Sequence, residues 1–534
     1  MTEERNSFPC FTMVKEPIAP VSVPDSFHME NAQEILVPKE PCVSFGDEPC
    51  TRFTGKGAGI LLDFGKELCG SLRLITREAA AGTEIRITLG ESLSEACSTL
   101  GEKNATNDHS PRDFTATLTA LSDLTFGQSG FRFARVELLT DSPISVQSVF
   151  AVGQLPAFPR EAVIKTSARQ LNKILETAAY TLKLNLQNGY IWDGIKRDRL
   201  VWCGDLHQEV ITSLYLFGDN VNITNSLSFL RSCTPSGRWM NHIPAYSAWW
   251  VINLCDYCSY TNNREYFAKN QSYAEDILQR FNSCIRDDGH IDFGDQPTAY
   301  FLDWPTYETP DSETGTAMII RIAAQKYLTF ADCAVCREII QKLERHLDAT
   351  CRAKQTRAFQ ILAGNAKPDD CDILEAGGAA GFSTFMAYYI LKADAIRGGD
   401  KMLPILKEYF GAMLSRGATT FWEDFDVSWL DGSGRIDALP KRGQKDLHGD
   451  HGAFCYQGFR HSLCHGWSCG VVSFVIEHIF GIHFENGTQK LSVRPHETCP
   501  NFKLKMPLSG GWLRIQYRDG TLQIKAPDDV EVLY

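Results

Sequence analysis

The sequence predicts a multidomain α and β protein in which one large helical unit lies between two β-domains. Three observations predict it. Over residues 1–160, apolar and polar residues alternate in short runs separated by Gly-rich turns. Near Ser167 the apolar period becomes helical and stays so to about Gly481. Beyond Gly481 strict alternation returns.

The elements follow in order. Gly57–Gly65 (GAGILLDFG) reads as a strand ending in a turn. Gly70–Thr76, Glu84–Leu89, Phe131–Leu139 and Val146–Val152 continue an antiparallel sandwich. The polar stretch Ser92–Pro111 reads as a loop. In SARQLNKILETAAYTLKLNL, residues Leu171, Ile174, Leu175, Ala178 and Leu182 recur at helical spacing behind Ser167, a plausible N-cap. Helical patterns follow at about 206–217, 247–260, 273–285, 314–328, 332–349, 379–396, 400–415 and 467–480. Long aromatic- and Gly-containing connections suggest a toroid of paired helices rather than a simple bundle, a choice that periodicity alone leaves open. Residues 288–312 and 352–378 read as loops that shape a pocket, with Glu375 placed to contact its ligand. In the last segment, Asp519-Gly520 between two alternating runs is a hairpin signal. The expected domains are 1–160 (β-sandwich), 161–481 (helical) and 482–534 (small β-domain).

Composition excludes several classes. At 534 residues, 43% apolar and 22% charged, the chain is neither collagenous, nor low-complexity, nor a small disulfide scaffold. Its formal charge of −12, from 53 Lys+Arg against 65 Asp+Glu, makes nucleic acid an unsuitable partner. No apolar run reaches the ~18 residues of a membrane span. The N-terminal residues MTEERNSFPCFTMVKEPIAP lack the apolar block of a signal peptide. The chain is therefore expected to be cytoplasmic, with its 18 cysteines as thiols. The CxxC pairs Cys255/Cys258 and Cys333/Cys336 fall in helical patterns without a nearby His cluster, so buried thiols are favoured over a zinc site.

Chemistry concentrates in three segments. Trp192–Asp205 (WDGIKRDRLVWCGD) holds Asp193, Asp198 and Asp205 with Lys196, Arg197, Arg199 and two Trp. A solvated, salt-bridged connection would explain the charges but not the Trp. Gly417–Trp429 (GATTFWEDFDVSW) sets Glu423 beside Trp422, and His461–Gly470 (HSLCHGWSCG) contains His465. Trp249-Trp250 and Asp303-Trp304 add further aromatics. Nine of the ten Trp lie between Trp192 and Trp467, and only Trp512 lies outside. Indole faces stack on sugar C–H faces while carboxylates and Arg bind hydroxyls, so separated carboxylates amid Trp fit glycoside hydrolysis. No P-loop, G-x-S-x-G or H-E-x-x-H motif appears.

These segments resemble the bacterial α-L-rhamnosidases of glycoside hydrolase family 78. The first is similar to that family's D-C-P-x-R-E-R-x-G-W-x-G-D loop, the second to its A-T-T-x-W-E segment and the third to H-A-W-x-x-G. LLDFGKELCGSLRL followed by AAAGTEIRITLGES resembles the β-sandwich that precedes the catalytic domain. The resemblance runs from about residue 55 to the end. It implies an (α/α)6 barrel flanked by β-sandwiches and an inverting glycosidase that releases terminal α-L-rhamnose or a similar sugar from small glycosides. It places the general acid at Asp198, where the family has Glu, a side chain longer by about 1.5 Å. It places the general base at Glu423 and sugar contacts at Asp193, Arg197, Trp202, Asp205 and His465. More loosely, it adds aromatic walls at Trp250 and Trp304, and Trp422 stands beside the base. Gly194-Ile195 replace the usual Cys-Pro. No cofactor or metal is expected, and the expected partner is a small carbohydrate or glycoside, not nucleic acid or membrane. The alternatives are a uronyl hydrolase or lyase on the same barrel, for which Tyr246, Tyr456 or His465 would supply a base, and a sugar-binding descendant without activity.

Overall fold

A computed structural model describes residues 12–44, 48–306 and 309–533. Residues 1–11, part of the N-terminal stretch read for a signal peptide, lie outside the described residues. Nine antiparallel strands form one N-terminal sheet: β1 (Met13–Ile18), β2 (Ser22–Phe27), β3 (Met29–Glu30), β4 (Thr51–Phe53), β5 (Gly59–Glu78), β6 (Thr83–Gly90), β7 (Asp113–Leu118), β8 (Ser122–Leu138) and β9 (Ile144–Pro156). Neighbours run β3-β4-β9-β5-β8-β6-β7, with β1 on β9 and β2 on β5. The expected turn at Gly65 is absent, because β5 continues through it. Register shifts between Asp63 and Leu68 and between Gly70 and Leu72 bend the strand instead. Its first part pairs with β2 and its second with β9, so the sheet folds over a core of Ile60, Leu62, Leu72, Leu74, Ile85 and Val136. A short helix, α1 (Leu93–Cys97), interrupts the polar loop. The Ser92 side chain caps it by accepting the Glu95 amide.

The helical unit contains α2 (Arg169–Asn185), α3 (Leu206–Phe217), α4 (Val221–Cys233), α5 (Pro244–Thr261), α6 (Arg264–Cys284), α7 (Ser312–Leu328), α8 (Ala334–Lys342), α9 (Glu344–Leu347), α10 (Lys354–Leu362), α11 (Asp370–Glu375), α12 (Ala387–Arg397), α13 (Met402–Ser415) and α14 (Val471–Phe474). Contacts run α3–α5–α7–α10–α12–α14 and back to α3, which closes an inner ring. Outer helices α2, α4, α6, α8, α11 and α13 alternate with these along the chain, giving an (α/α)6 barrel. The inner position explains α5, buried at nearly every residue from Pro244 to Cys258 and apolar all round.

Several local expectations change. Ala168, not Ser167, precedes α2, and the Ser167 amide donates to the Asn501 carbonyl. The segment read as the loop 352–378 folds into α10 and α11, each under three turns and too short to show a clear period. Glu375 pairs with Lys401 at 2.8 Å, away from the pocket. The 467–480 helix is a composite of a 3-10 turn (Gly466–Gly470), α14 and a π turn (Val475–Ile479).

The remaining strands are β10 (Val163–Thr166), β11 (Leu186–Gln187), β12 (Tyr190–Ile191), β13 (Ile482–Glu485), β14 (Lys490–Val493), β15 (Phe502–Leu508), β16 (Gly511–Arg518), β17 (Thr521–Lys525) and β18 (Glu531–Leu533). β10 precedes the barrel in sequence but joins the C-terminal sheet in the order β10-β15-β16-β17. That sheet packs on the barrel through Phe502, whose ring stacks on Phe480 with centroids 3.9 Å apart.

Candidate active site

The pocket lies where the inner helices begin. Residues 192–205 run from the β11–β12 hairpin to the start of α3. Asp193 organises this loop. One of its carboxylate oxygens accepts the Leu200 amide and the other the Asp198 amide, both at 2.9 Å. The turn needs Gly194, since a Cβ there would lie 2.1 Å from the Arg197 carbonyl oxygen. The loop is not solvated: Asp193, Lys196, Arg197 and Asp205 are all buried.

Arg197 joins the two candidate catalytic carboxylates. Its Nη1 donates to Asp198 Oδ1, and its Nη2 donates to Glu423 Oε1 at 2.6 Å. Its Nε donates to the Arg460 carbonyl at 2.9 Å, which fixes the guanidinium plane. Glu423 also accepts the Ser462 amide at 2.9 Å, so both of its oxygens are held. The Asp198 side chain is 17% exposed and that of Glu423 4%, which sets the first toward the mouth and the second toward the floor. Burial raises the Glu423 carboxyl above its usual range, and Arg197 opposes the rise. Burial, then the Asp198 charge, pushes Asp193 up to about 7.

His465 Nε2 stands 3.7 Å from Asp193, 3.8 Å from Glu423 and 3.9 Å from Asp205. Burial, with Arg197 and His461 nearby, holds its pKa well below the ordinary value, so the imidazole is neutral. A Cβ at the next residue, Gly466, would meet Glu209 Oε1 at 1.6 Å, so a larger residue there requires the Glu209 side chain to shift. Asp205 accepts the Tyr246 hydroxyl at 3.2 Å.

These groups line a cavity of about 210 Å³ together with Trp202, Trp304, Tyr456 and Trp467. Drug-sized pockets run from ~300 Å³, so this one suits a single sugar ring. Trp250 and Trp422, expected as sugar contacts, lie outside its walls. Trp250 is fully buried, packs edge-on against Tyr273 and donates Nε1–H to the Leu227 carbonyl, all within the helix core. Trp422 is buried against Phe425, because successive residues of its extended segment point in opposite directions and Glu423 takes the pocket side.

Sequence reading missed the support behind the loop. Lys196 Nζ lies 2.9 Å from Glu91 and 3.1 Å from Glu95, both in the β-sandwich domain, and bonds the Phe459 and His461 carbonyls. His109 of the same domain reaches Asp198 at 3.4 Å. No local motif marks these partners, which come from distant parts of the chain. Among the described residues, two trios have ligand atoms within 4.8 Å of one another: Asp193, Asp205 and His465, and Glu91, Glu95 and His448. In the second, Lys196 already supplies the positive charge. The CxxC residues Cys255 and Cys258 belong to neither; both are buried in α5, and burial pushes the Cys258 thiol up to about 12.

Residues 54–153 match the bacterial alpha-L-rhamnosidase concanavalin-like domain, and residues 159–258 match the bacterial alpha-L-rhamnosidase 6 hairpin glycosidase domain. Two stretches of the chain thus match bacterial α-L-rhamnosidase domains. The structures similar to it include rhamnosidases. The GH78 rhamnosidase of Bacillus sp. GL1 is 18% identical with a TM-score of 0.72, over 94% of this chain and 55% of that one. A Klebsiella oxytoca rhamnosidase with rhamnose bound is 18% identical with a TM-score of 0.69, over 88% and 96%. The Streptomyces avermitilis α-L-rhamnosidase complexed with L-rhamnose is 16% identical with a TM-score of 0.70, over 98% and 50%. This chain thus spans about half the length of the Bacillus and Streptomyces proteins and nearly all of the Klebsiella one. No curated protein sequence matches it. The rhamnosidase match at 159–258 includes the Asp193–Asp205 loop; Glu423 and His465 lie beyond it and join that loop only through the fold.

Proposed function

We propose that the chain is an inverting glycosidase that releases a terminal α-L-rhamnose, or a closely similar sugar, from small glycosides. One observation carries the reading: Asp198 and Glu423 line one sugar-sized pocket, at its mouth and its floor, with Arg197 between them. A terminal sugar fills the pocket with its aglycone toward solvent. Asp198, at the mouth, then protonates the departing oxygen. Glu423, at the floor, takes a proton from a water that attacks the opposite face of the ring. Inversion requires room for that water, which in such enzymes means carboxyl groups ~6.5–9.5 Å apart. Asp193, Asp205 and the neutral His465 bind hydroxyls, and Trp202 and Trp304 supply apolar walls.

The rhamnosidase domains and the rhamnose-bound relatives support the sugar. The thiol state of the described cysteines supports a reducing, cytoplasmic setting and imported substrates. Burial raises the Tyr246 and Tyr456 phenols well above their ordinary range, which disfavours either as the base of a lyase. A second reading, a sugar-binding pocket without turnover, rests on the short Asp198 side chain and its tie to Arg197. A screen of aryl glycosides separates the two. Hydrolysis of an α-L-rhamnoside that is sharply reduced in Glu423→Gln and, for a leaving group that needs protonation, in Asp198→Asn supports the enzyme. Rhamnose binding without turnover of any glycoside supports the second reading.

A further inference from the structure

The four strands of the C-terminal sheet hold six basic residues and no Asp or Glu, in a chain whose net charge is −12. Alternation divides the sheet's two faces. Leu504, Met506, Leu513 and Ile515 are buried toward the barrel. The opposite face carries two rows across the strands. In one, Val163 stands opposite Lys505, Lys505 opposite Arg514, and Arg514 opposite Lys525. In the other, Lys165 stands opposite Lys503, and Lys503 leads across to Gln516 and Gln523.

Like charges directly opposite each other across strands repel. Arg518 has Asp519 at 3.6 Å, but among the described residues the other five cations form no ion pair. Lys165 and Lys525 sit on edge strands, where a charge deters pairing with another chain. That reason does not reach Lys503, Lys505 and Arg514, which lie on the two inner strands. Trp512, the one Trp outside the barrel, shares this face, and Lys505 Nζ lies 3.9 Å from its ring centroid. A shallow groove of about 480 Å³ on this face is lined by Lys503, Lys505, Arg514, Gln516 and Gln523.

The face is no part of the catalytic pocket. Asp205 opens α3 at the pocket, whereas Pro507 of this sheet packs at Gly218, where α3 ends. Twelve helical residues separate the two, about 18 Å.

We propose that this face binds an acidic oligosaccharide, a sugar chain bearing uronate carboxylates. Lys503, Lys505 and Arg514 pair with the carboxylates and relieve their mutual repulsion. Trp512 stacks on a sugar face, and Gln516 and Gln523 bond hydroxyls. The charge calls for a polyanion; the choice of a carbohydrate rests on the glycosidase reading.

The test is retention of the full chain by polygalacturonate in affinity electrophoresis, with neutral dextran and single-stranded DNA as comparisons. Polygalacturonate should retard the chain, less so at raised salt, and dextran should not. The triple variant Lys503→Gln, Lys505→Gln, Arg514→Gln and the single variant Trp512→Ala should each weaken retention by about tenfold. Their Tm should be unchanged or, for the triple variant, higher, since repulsion is removed, and aryl glycoside turnover should be unchanged. No retention of the wild type overturns the proposal, as does undiminished retention of a folded triple variant. Binding to single-stranded DNA as tight as to polygalacturonate overturns the choice of a carbohydrate. Retention is read without turnover, so a chain that is retained but hydrolyses nothing refutes the glycosidase reading and leaves this one standing.

Discussion

Lys196 of the barrel lies 2.9 Å from Glu91 of the β-sandwich domain, with both side chains buried. The next residue, Arg197, holds Asp198 and Glu423. The N-terminal domain therefore braces the loop that carries the site. Removing one partner of such a buried pair typically costs about 3–5 kcal/mol, because the other charge is left without compensation. Lys196→Met should lower stability by that order in denaturant titration, and it should depress kcat even where the variant is folded. A variant as stable as the parent would show that the brace is absent.

The two carboxylates should separate by leaving group. Asp198→Asn should cut kcat steeply on alkyl rhamnosides, by about 10²–10⁴-fold, the usual worth of general-acid help. On a dinitrophenyl rhamnoside, which departs without protonation, the loss should be far smaller. Glu423→Gln should cost a similar factor on both substrates, since water attack needs the base in either case. Equal losses on both substrates for Asp198→Asn would count against its role as acid.

Two tryptophans should behave in opposite ways. Trp304 lines the pocket and is half-buried, so Trp304→Ala should raise KM with a small change in Tm. Trp250 fills the helix core, so Trp250→Ala should cost about 3–5 kcal/mol of stability, with KM unchanged in the folded fraction.

Asp424, next to Glu423, has its pKa pushed up to about 7, first by burial and then by the neighbouring Asp303 and Glu423. Its ordinary value is 3.8. The native state keeps this proton over a range in which the unfolded chain has released it. The stability it contributes is therefore lost as pH rises from about 4 to about 7. Asp424→Asn removes that dependence. The stability of the parent relative to the variant, measured by denaturant titration, should fall between about pH 4 and about pH 7. A difference that stays constant would contradict the assignment.

Much of the pocket lining was legible in the sequence because its candidate groups cluster in short segments. Asp193, Arg197, Asp198, Trp202 and Asp205 sit within thirteen residues, and all reach the pocket. Sequence reading misplaced Trp250 and Trp422 because adjacency in the chain does not say which face of a helix or extended segment meets the cavity. It missed Lys196 with Glu91 and Glu95, and His109 with Asp198, because those pairs join residues about ninety or more positions apart, across a domain boundary. The barrel's inner ring was legible as helices but not as a closed ring. Closure depends on α10 and α14, whose short and irregular turns carry little periodic signal.

The central claim is that Asp198 and Glu423 act from opposite faces of one sugar. The most direct measurement is the anomer first released from an aryl α-L-rhamnoside, followed by proton NMR before mutarotation. The account predicts β-L-rhamnose as the initial product, released about 10²–10⁴-fold more slowly by Glu423→Gln. Initial release of α-L-rhamnose would show retention and contradict it, as would hydrolysis undiminished by loss of Glu423.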